Sequence, residues 1–273
     1  MKRTHNTLDI AALLSALLVS FIILFPFFPL MLASFTGRFF LSGVNWHSFS
    51  LDRYFHTIKL MGYSYINSAI ASIGAVALNL PSCTLAAYAF SRLRFRYKSS
   101  LQHLVIGVYA VPLVAGFVPL FIIFRWYGLI NTLYALSLLG ATISLPLNTW
   151  FAIRYFNTIP RELEESAMID GCDRMQLLLK IILPLASPAL VAMSIITFLT
   201  TWNEFMLAVI FLNKAENFTF TVALVTYGQG YQGTFEWGII SSGIIIGLFP
   251  VLLIYMLLHK YLITGLTGGV IKG

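Results

Sequence analysis

The sequence predicts an all-α polytopic membrane protein with six transmembrane helices. Three observations carry this: composition, the length and texture of the apolar runs, and the placement of the basic residues. Of the 273 residues, 59% are hydrophobic and 10% are charged, against about 25% charged in an ordinary soluble domain. So apolar a chain cannot clothe its surface in polar groups, so lipid is its solvent. In lipid the backbone must satisfy its own hydrogen bonds, which leaves helices or closed barrels. Barrel strands alternate apolar with polar residues; these runs do not, so helices are expected.

Six stretches reach the ~20 mostly apolar residues that a membrane helix needs: 10–35, 65–90, 101–124, 133–153, 181–212 and 238–262. The first follows Lys2 and Arg3, as a signal peptide would. It is too long for an h-region of about 7–15 residues, and Pro26 and Pro29 interrupt its end, so it reads as a retained span. The fifth is long enough to tilt or to begin outside the hydrocarbon. Prolines 112, 119, 146, 188 and 250 lie inside the spans and tend to kink them. Gly243 and Gly247 form G-x-x-x-G in the last span, the pattern of a close-packing face. The whole chain is expected to form one transmembrane domain.

With the N-terminus inside, twelve of the 17 Lys and Arg residues fall in inner segments and five in outer ones. This positive-inside bias makes both termini cytoplasmic. The block Arg92-Leu93-Arg94-Phe95-Arg96-Tyr97-Lys98 reads as a topology anchor beside anionic lipid. The net charge of +7 is spread in such blocks and forms no aromatic-interleaved stripe, so nucleic acid is not an expected partner. The two larger outer loops are 36–64 and 213–237. The second holds Gly228, Gln229, Gly230, Tyr231, Gln232 and Gly233, a flexible or tightly turning tip that reads either as a plain loop or as a contact for a partner or a sugar.

Catalytic and metal chemistry find no support. Five histidines are scattered without ligand spacing, and Cys83 and Cys172 are far apart and outside any C-x-x-C. No G-x-S-x-G elbow is present. The glycine-rich tail 268–273 lacks the Lys-Ser/Thr and following helix of a phosphate loop. No bound metal or cofactor, and no enzymatic activity, is expected of the chain itself. Ion-coupled transport by a carboxylate relay is disfavoured too, since Glu204 is the only acid well inside a span. Helix rise over the twenty residues from Pro184 puts Glu204 ~30 Å away, near the outer face. Two readings stand for Trp202, Asn203 and Glu204: an interfacial Trp with snorkelling neighbours, or a polar gate.

Acids concentrate only in 154–180, which holds five of them and four bases. Pro160 suits a first helical turn, and Glu162, Glu164 and Glu165 follow in the positive field of a helix N-terminus. Leu163, Ala167 and Asp170 recur at i, i+4 and i+7, and Gly171 permits a turn. Two short cytoplasmic helices meeting at Gly171 and running on into the fifth span are expected. The segment is either a solvated connector or a docking lever.

Here the residues resemble a known family. Glu165-Ser166-Ala167-Met168-Ile169-Asp170-Gly171, followed by Ile181-Ile182-Leu183-Pro184 and Pro188, resembles the EAA loop of binding-protein-dependent ABC importers. Ser166 and Cys172 stand where that loop commonly has Ala. Trp202-Asn203-Glu204-Phe205, Tyr127-Gly128-Leu129-Ile130-Asn131-Thr132, Leu85–Arg92 and the tail Tyr261–Gly273 are similar to segments of carbohydrate permeases, most nearly the maltose-permease-like second membrane subunit. The resemblance implies the type I ABC importer transmembrane-domain fold with a cytoplasmic coupling helix, in a bacterial plasma (inner) membrane. It implies a second permease subunit (a different chain), two ATPase subunits that bind ATP and Mg, and an extracytoplasmic solute-binding protein. Leu163, Ala167 and Met168 would give the ATPase apolar contact, Glu165 and Asp170 charge pairing or helix capping, and Gly171 the bend. Gly228, Gln229, Gly230 and Tyr231 would face the binding protein, and Trp202, Asn203 and Glu204 the pathway. The rivals are an importer for a non-sugar solute, an ATP-independent secondary transporter and a membrane-embedded hydrolase.

Overall fold

Helix dominates the computed structural model, which describes residues 2–38, 49–230 and 234–267, the side chains of 2–8, 11 and 262–267 lying outside that description. Among the described residues there is no strand, only an isolated bridge between Gln229 and Phe235. Four helical stretches among the described residues are long and apolar enough to cross a membrane, or six if each of two bent pairs counts as one span. The packing divides into two compact units, Met1–Gly62 with Ala223–Leu248, and Tyr63–Val222 with Phe249–Gly273.

The first unit begins with α1 (Lys2–Leu24) and α2 (Phe27–Thr36), parted by a turn at Pro26. Gly37 closes α2 in the left-handed region, its N–H donating to Ala33 O. The first turns of α3 (Asp52–Arg92) pack beside it: the Arg53 guanidinium donates to Phe35 O, and the Ser34 and Tyr54 hydroxyls lie 2.7 Å apart. Thr57 meets Ser242 of the last helix, α13 (Trp237–Thr267), at 2.7 Å. Gly243 and Gly247 are buried, as a packing face requires.

The second unit holds the rest of α3, then α4 (Lys98–Gly107), α5 (Phe117–Trp126), α6 (Leu133–Phe156), α7 (Arg161–Ile169), α8 (Arg174–Leu177), α9 (Leu183–Leu185), α10 (Ser187–Trp202) and α11 (Met206–Phe211). The next helix, α12 (Phe220–Gly228), begins here. Small residues let the long helices approach closely: a Cβ on Gly74 would strike Ser137, and one on Gly140 would strike Thr201. Between them runs a buried polar layer. Asn148 Nδ2 donates to Asn79 Oδ1 and Thr197 Oγ1, each at 2.7 Å, and Asn79 Nδ2 donates to Ala141 O at 2.7 Å. One apolar cluster gathers Cys83, Ala87, Phe156, Leu177 and Ile182; another gathers Ala71, Leu136, Leu139, Leu207 and Phe211. Along α3 and α6 the two asparagines fall between these clusters.

Four segments depart from the sequence expectation. Residues 52–64 of the expected loop are helical, because Thr57, Ser64 and their polar neighbours find partners or burial within packed helix. The expected third span breaks at 108–116, where the pair 98–110 and 113–126 bends by 93°. Pro112 lacks a donor, and it holds Val111 in an extended conformation. The expected fifth span bends by 79° about Ala186 and ends at Trp202. The expected outer loop 213–237 contains α12.

The polar layer yields a direct expectation. Asn148→Leu should cost about 1–2 kcal/mol, the scale of interhelical hydrogen bonds in membranes. Asn79→Ala added to it should cost little more, since both break one network. Thermal unfolding in detergent reads both.

Candidate functional site: the elbow between α6 and α10

Two short helices build the elbow, and each residue of the turn between them has a structural task. Glu162 and Glu164 sit in the first turn of α7, where the helix dipole favours acid. At its end, Gly171 N donates to Met168 O at 3.1 Å and Cys172 N to Ala167 O at 3.0 Å. This is a Schellman closure, with Gly171 at φ +88° in the position that disfavours a Cβ. Asp173 then caps α8: its Oδ1 accepts from Gln176 N at 2.7 Å, and the Gln176 side chain accepts from Asp173 N. The capping expected of Glu165 or Asp170 is therefore done by Asp173. A π-helical turn, Leu178–Ile182, joins α8 to α9, and the chain bends at Ala186 between Pro184 and Pro188.

The elbow is bolted down on one face. Ala167, Leu177, Leu178 and Ile182 are buried against Phe156, Ile159 and the ends of α3 and α10. Glu164 turns inward as well and pairs with Arg92 at the last residue of α3; their side chains are 10% and 6% exposed. Arg92 Nη2 donates to Phe156 O at 2.8 Å and to Ile159 O at 3.0 Å. The other face is open. Leu163, Met168, Met175 and Leu179 are about half exposed, and Ile169 is 87% exposed.

Of the residues singled out for docking, Leu163, Glu165, Met168, Asp170 and Gly171 face outward, whereas Ala167 lies in the core. The sequence reading missed Ile169, Met175 and Leu179 on the open face. It also took Arg92 only as a topology anchor and Glu164 only as an N-terminal acid. A signal was present: Glu164 and Ala167 are about one helical turn apart, and both face the core.

Trp202 is enclosed by the protein. It is 1% exposed, stacked on Phe198 and tilted against Phe220 at centroid distances of 5.6 and 5.0 Å. Glu204 Oε1 accepts from Leu207 N at 2.9 Å, supplying a partner for the first turn of α11, and its carbonyl accepts from Thr221 Oγ1 at 2.8 Å. Only Asn203 of the three is exposed. Asn131 stitches the same region: its Oδ1 accepts from Asn213 N and Lys214 N at 3.1 and 3.0 Å, and its N–H donates to Phe211 O at 2.7 Å. Gly228, Gln229 and Gly230 enter a tight hairpin, closed by Gly230 N to Thr234 O at 2.8 Å and Glu236 N to Gly228 O at 2.9 Å. Tyr231, Gln232, Gly233 and the tail 268–273 lie outside the described residues.

The profile of the family described as binding-protein-dependent transport system inner membrane component matches residues 79–268. The chain is 37% identical over 209 residues to the sulfoquinovosyl glycerol transport system permease protein SmoH of Agrobacterium fabrum, covering 76% of this chain and 72% of that one. It is 32% identical over 270 residues to the trehalose/maltose transport system permease protein MalG of Thermococcus litoralis, covering 97% of each. A solved bacterial ABC transporter that imports the acidic polysaccharide alginate has a chain of the same fold, with a TM-score of 0.80 at 21% identity, covering 95% of this chain and 98% of that one.

The elbow geometry separates strain from crowding at Gly171. No atom lies within 4 Å of a Cβ built there, so only the left-handed backbone resists substitution, by roughly 1–2 kcal/mol for most side chains. Gly171→Val should expose the 168–176 segment to limited proteolysis in the full-length protein. Gly171→Asn, which tolerates that conformation, should leave the cleavage rate near wild type.

Proposed function

We propose that this chain, which belongs to the family of binding-protein-dependent transport system inner membrane components, is the permease subunit of an ATP-driven sugar importer. It is a multi-pass inner-membrane transport subunit and not an enzyme; ATP hydrolysis belongs to separate subunits. The carbohydrate assignment rests on its likeness to permeases of sulfoquinovosyl glycerol and trehalose/maltose transport.

The observation that carries the mechanism is the elbow's open face. A polar segment with its own caps presents Leu163, Met168, Ile169 and Met175 outward, while its other face is fixed to the ends of the long helices. An exposed apolar patch rimmed by charge is the mark of a protein contact. In our reading an ATPase subunit, holding ATP and Mg, receives this face on the cytoplasmic side. Closure of the ATPase pair then pushes the elbow and, through the π turn, α10. Glu165 and Asp170 stand beside the patch to meet basic groups of that subunit, and Gly171 keeps α7 and α8 at their angle. This chain supplies half of the pathway and a second, different permease subunit the other half. Both termini are cytoplasmic. The segment of Gly228, Gln229, Gly230 and Tyr231 faces an extracytoplasmic solute-binding protein. Of Trp202, Asn203 and Glu204, Asn203 is the member free to meet solute.

The test is reconstitution of the membrane complex in liposomes with its ATPase and binding protein. Sugar uptake should require internal ATP and the external binding protein; ATP-independent uptake by this chain alone would refute the reading. Ile169→Asp should insert normally yet reduce ATPase-subunit co-purification by about tenfold or more, each tenfold corresponding to ~1.4 kcal/mol.

A further inference from the structure

The apolar packing beneath the elbow resists separation but is non-directional, so by itself it does not fix the angle of α7. One side chain does. Arg92 ends α3, where a cation is favoured by the helix dipole. Its Nε faces the Glu164 carboxylate of α7, and its Nη2 reaches Phe156 O and Ile159 O, the last residue of α6 and the connector beyond it. The guanidinium is planar and rigid, so three segments are held at fixed angles by one group. Both side chains are almost wholly buried, and neighbouring Glu162, Glu165 and Arg161 are exposed and turned away. Of the rest of the basic block, Arg94 and Arg96 are exposed and Lys98 turns back to Leu93 O, so Arg92 is the member that pairs with the elbow.

We infer that Arg92, clamped to Glu164 and to the end of α6, is the positioning residue that passes elbow motion into α3 and α6, in parallel with the route through the π turn into α10. This rests on the ATPase-docking reading of the elbow. Breaking the clamp leaves the open face intact, and with it ATPase binding. What it removes is one of the two connections between that face and the membrane helices. The consequence is slippage: ATP is hydrolysed while less sugar crosses.

The experiment uses the complete reconstituted importer carrying Arg92→Gln, Glu164→Gln or both. Two quantities are read for each: sugar transported per ATP hydrolysed, and photo-cross-linking to the ATPase subunit from a photoreactive amino acid placed at position 169. With cross-linking retained, each single variant should lower the transport-to-hydrolysis ratio about fivefold or more, the lower end of typical site-to-site coupling. The double variant should be no worse than the singles, because both remove one interaction. A purely structural role would lower the amount of complex and leave the ratio per complex unchanged. An unchanged ratio with normal cross-linking overturns the inference and leaves the docking reading standing. No cross-link in the wild-type background overturns the docking reading and the inference with it. Should Arg92→Gln not accumulate, Arg92→Lys decides. It keeps a charge facing Glu164 but cannot grip both carbonyls, so its ratio should fall, and a wild-type ratio overturns the inference.

Discussion

Hydrocarbon supplies no hydrogen-bond partners, so a membrane chain that leaves the helix must bring its own. Two breaks in the second unit follow this rule. Where α10 stops, Glu204 and Thr221 serve the groups around the 203–205 turn. Where α5 gives way to α6, Asn131 stands at φ +61°; its side chain and carbonyl serve the 213–217 turn and its N–H donates to Phe211 O at the end of α11. Asn67 Nδ2 adds donors to Glu216 O and Phe218 O at 2.8 and 3.0 Å. The irregular segments are thus tied to one another and to the long helices.

The same constraint explains how polar side chains are spent. Asn79, Asn148 and Thr197 bond one another across three helices at a depth where an amide N–H without an acceptor would be costly. Arg92 and Glu164 do so where charges are allowed but almost no water reaches them. The first group holds the long helices together; the second joins the elbow to their ends. Helix packing by small residues is permissive about sliding, because Gly74, Gly140 and their partners offer smooth close contact. Directional hydrogen bonds remove that freedom at two levels.

What could be read from the sequence follows from this division. The apolar runs, the G-x-x-x-G face and the Gly171 turn were legible because each depends on local composition or on one residue's backbone preference. Long-range pairing was not. Nothing near Asn148 announces that its amide meets Asn79, 69 positions earlier. Arg92 looked like its exposed neighbours because topology signals and buried cations use the same residue. Trp202 looked interfacial because its neighbours are polar, yet Phe198 and Phe220 enclose it. The prolines were read as kinks within spans. At Pro112 the effect is larger, since the pre-proline restriction and the missing donor fall together and the helix stops outright.

That stop bears on how the chain works in the membrane. Residues 108–115 carry only short 3₁₀ turns and are exposed in the isolated chain. A cavity of about 400 Å³ lies beside them, lined by Tyr109, Pro112, Thr142, Ile143 and Pro146. Non-helical backbone at membrane depth survives where protein covers it or where it borders water, and not against lipid. In the proposed function, the face bearing this break lies against a partner subunit or along an aqueous path. Both surroundings are those of a permease that forms one side of a passage. The elbow and the break are the two surfaces that the proposed function uses: one is capped and braced, the other is non-helical and exposed.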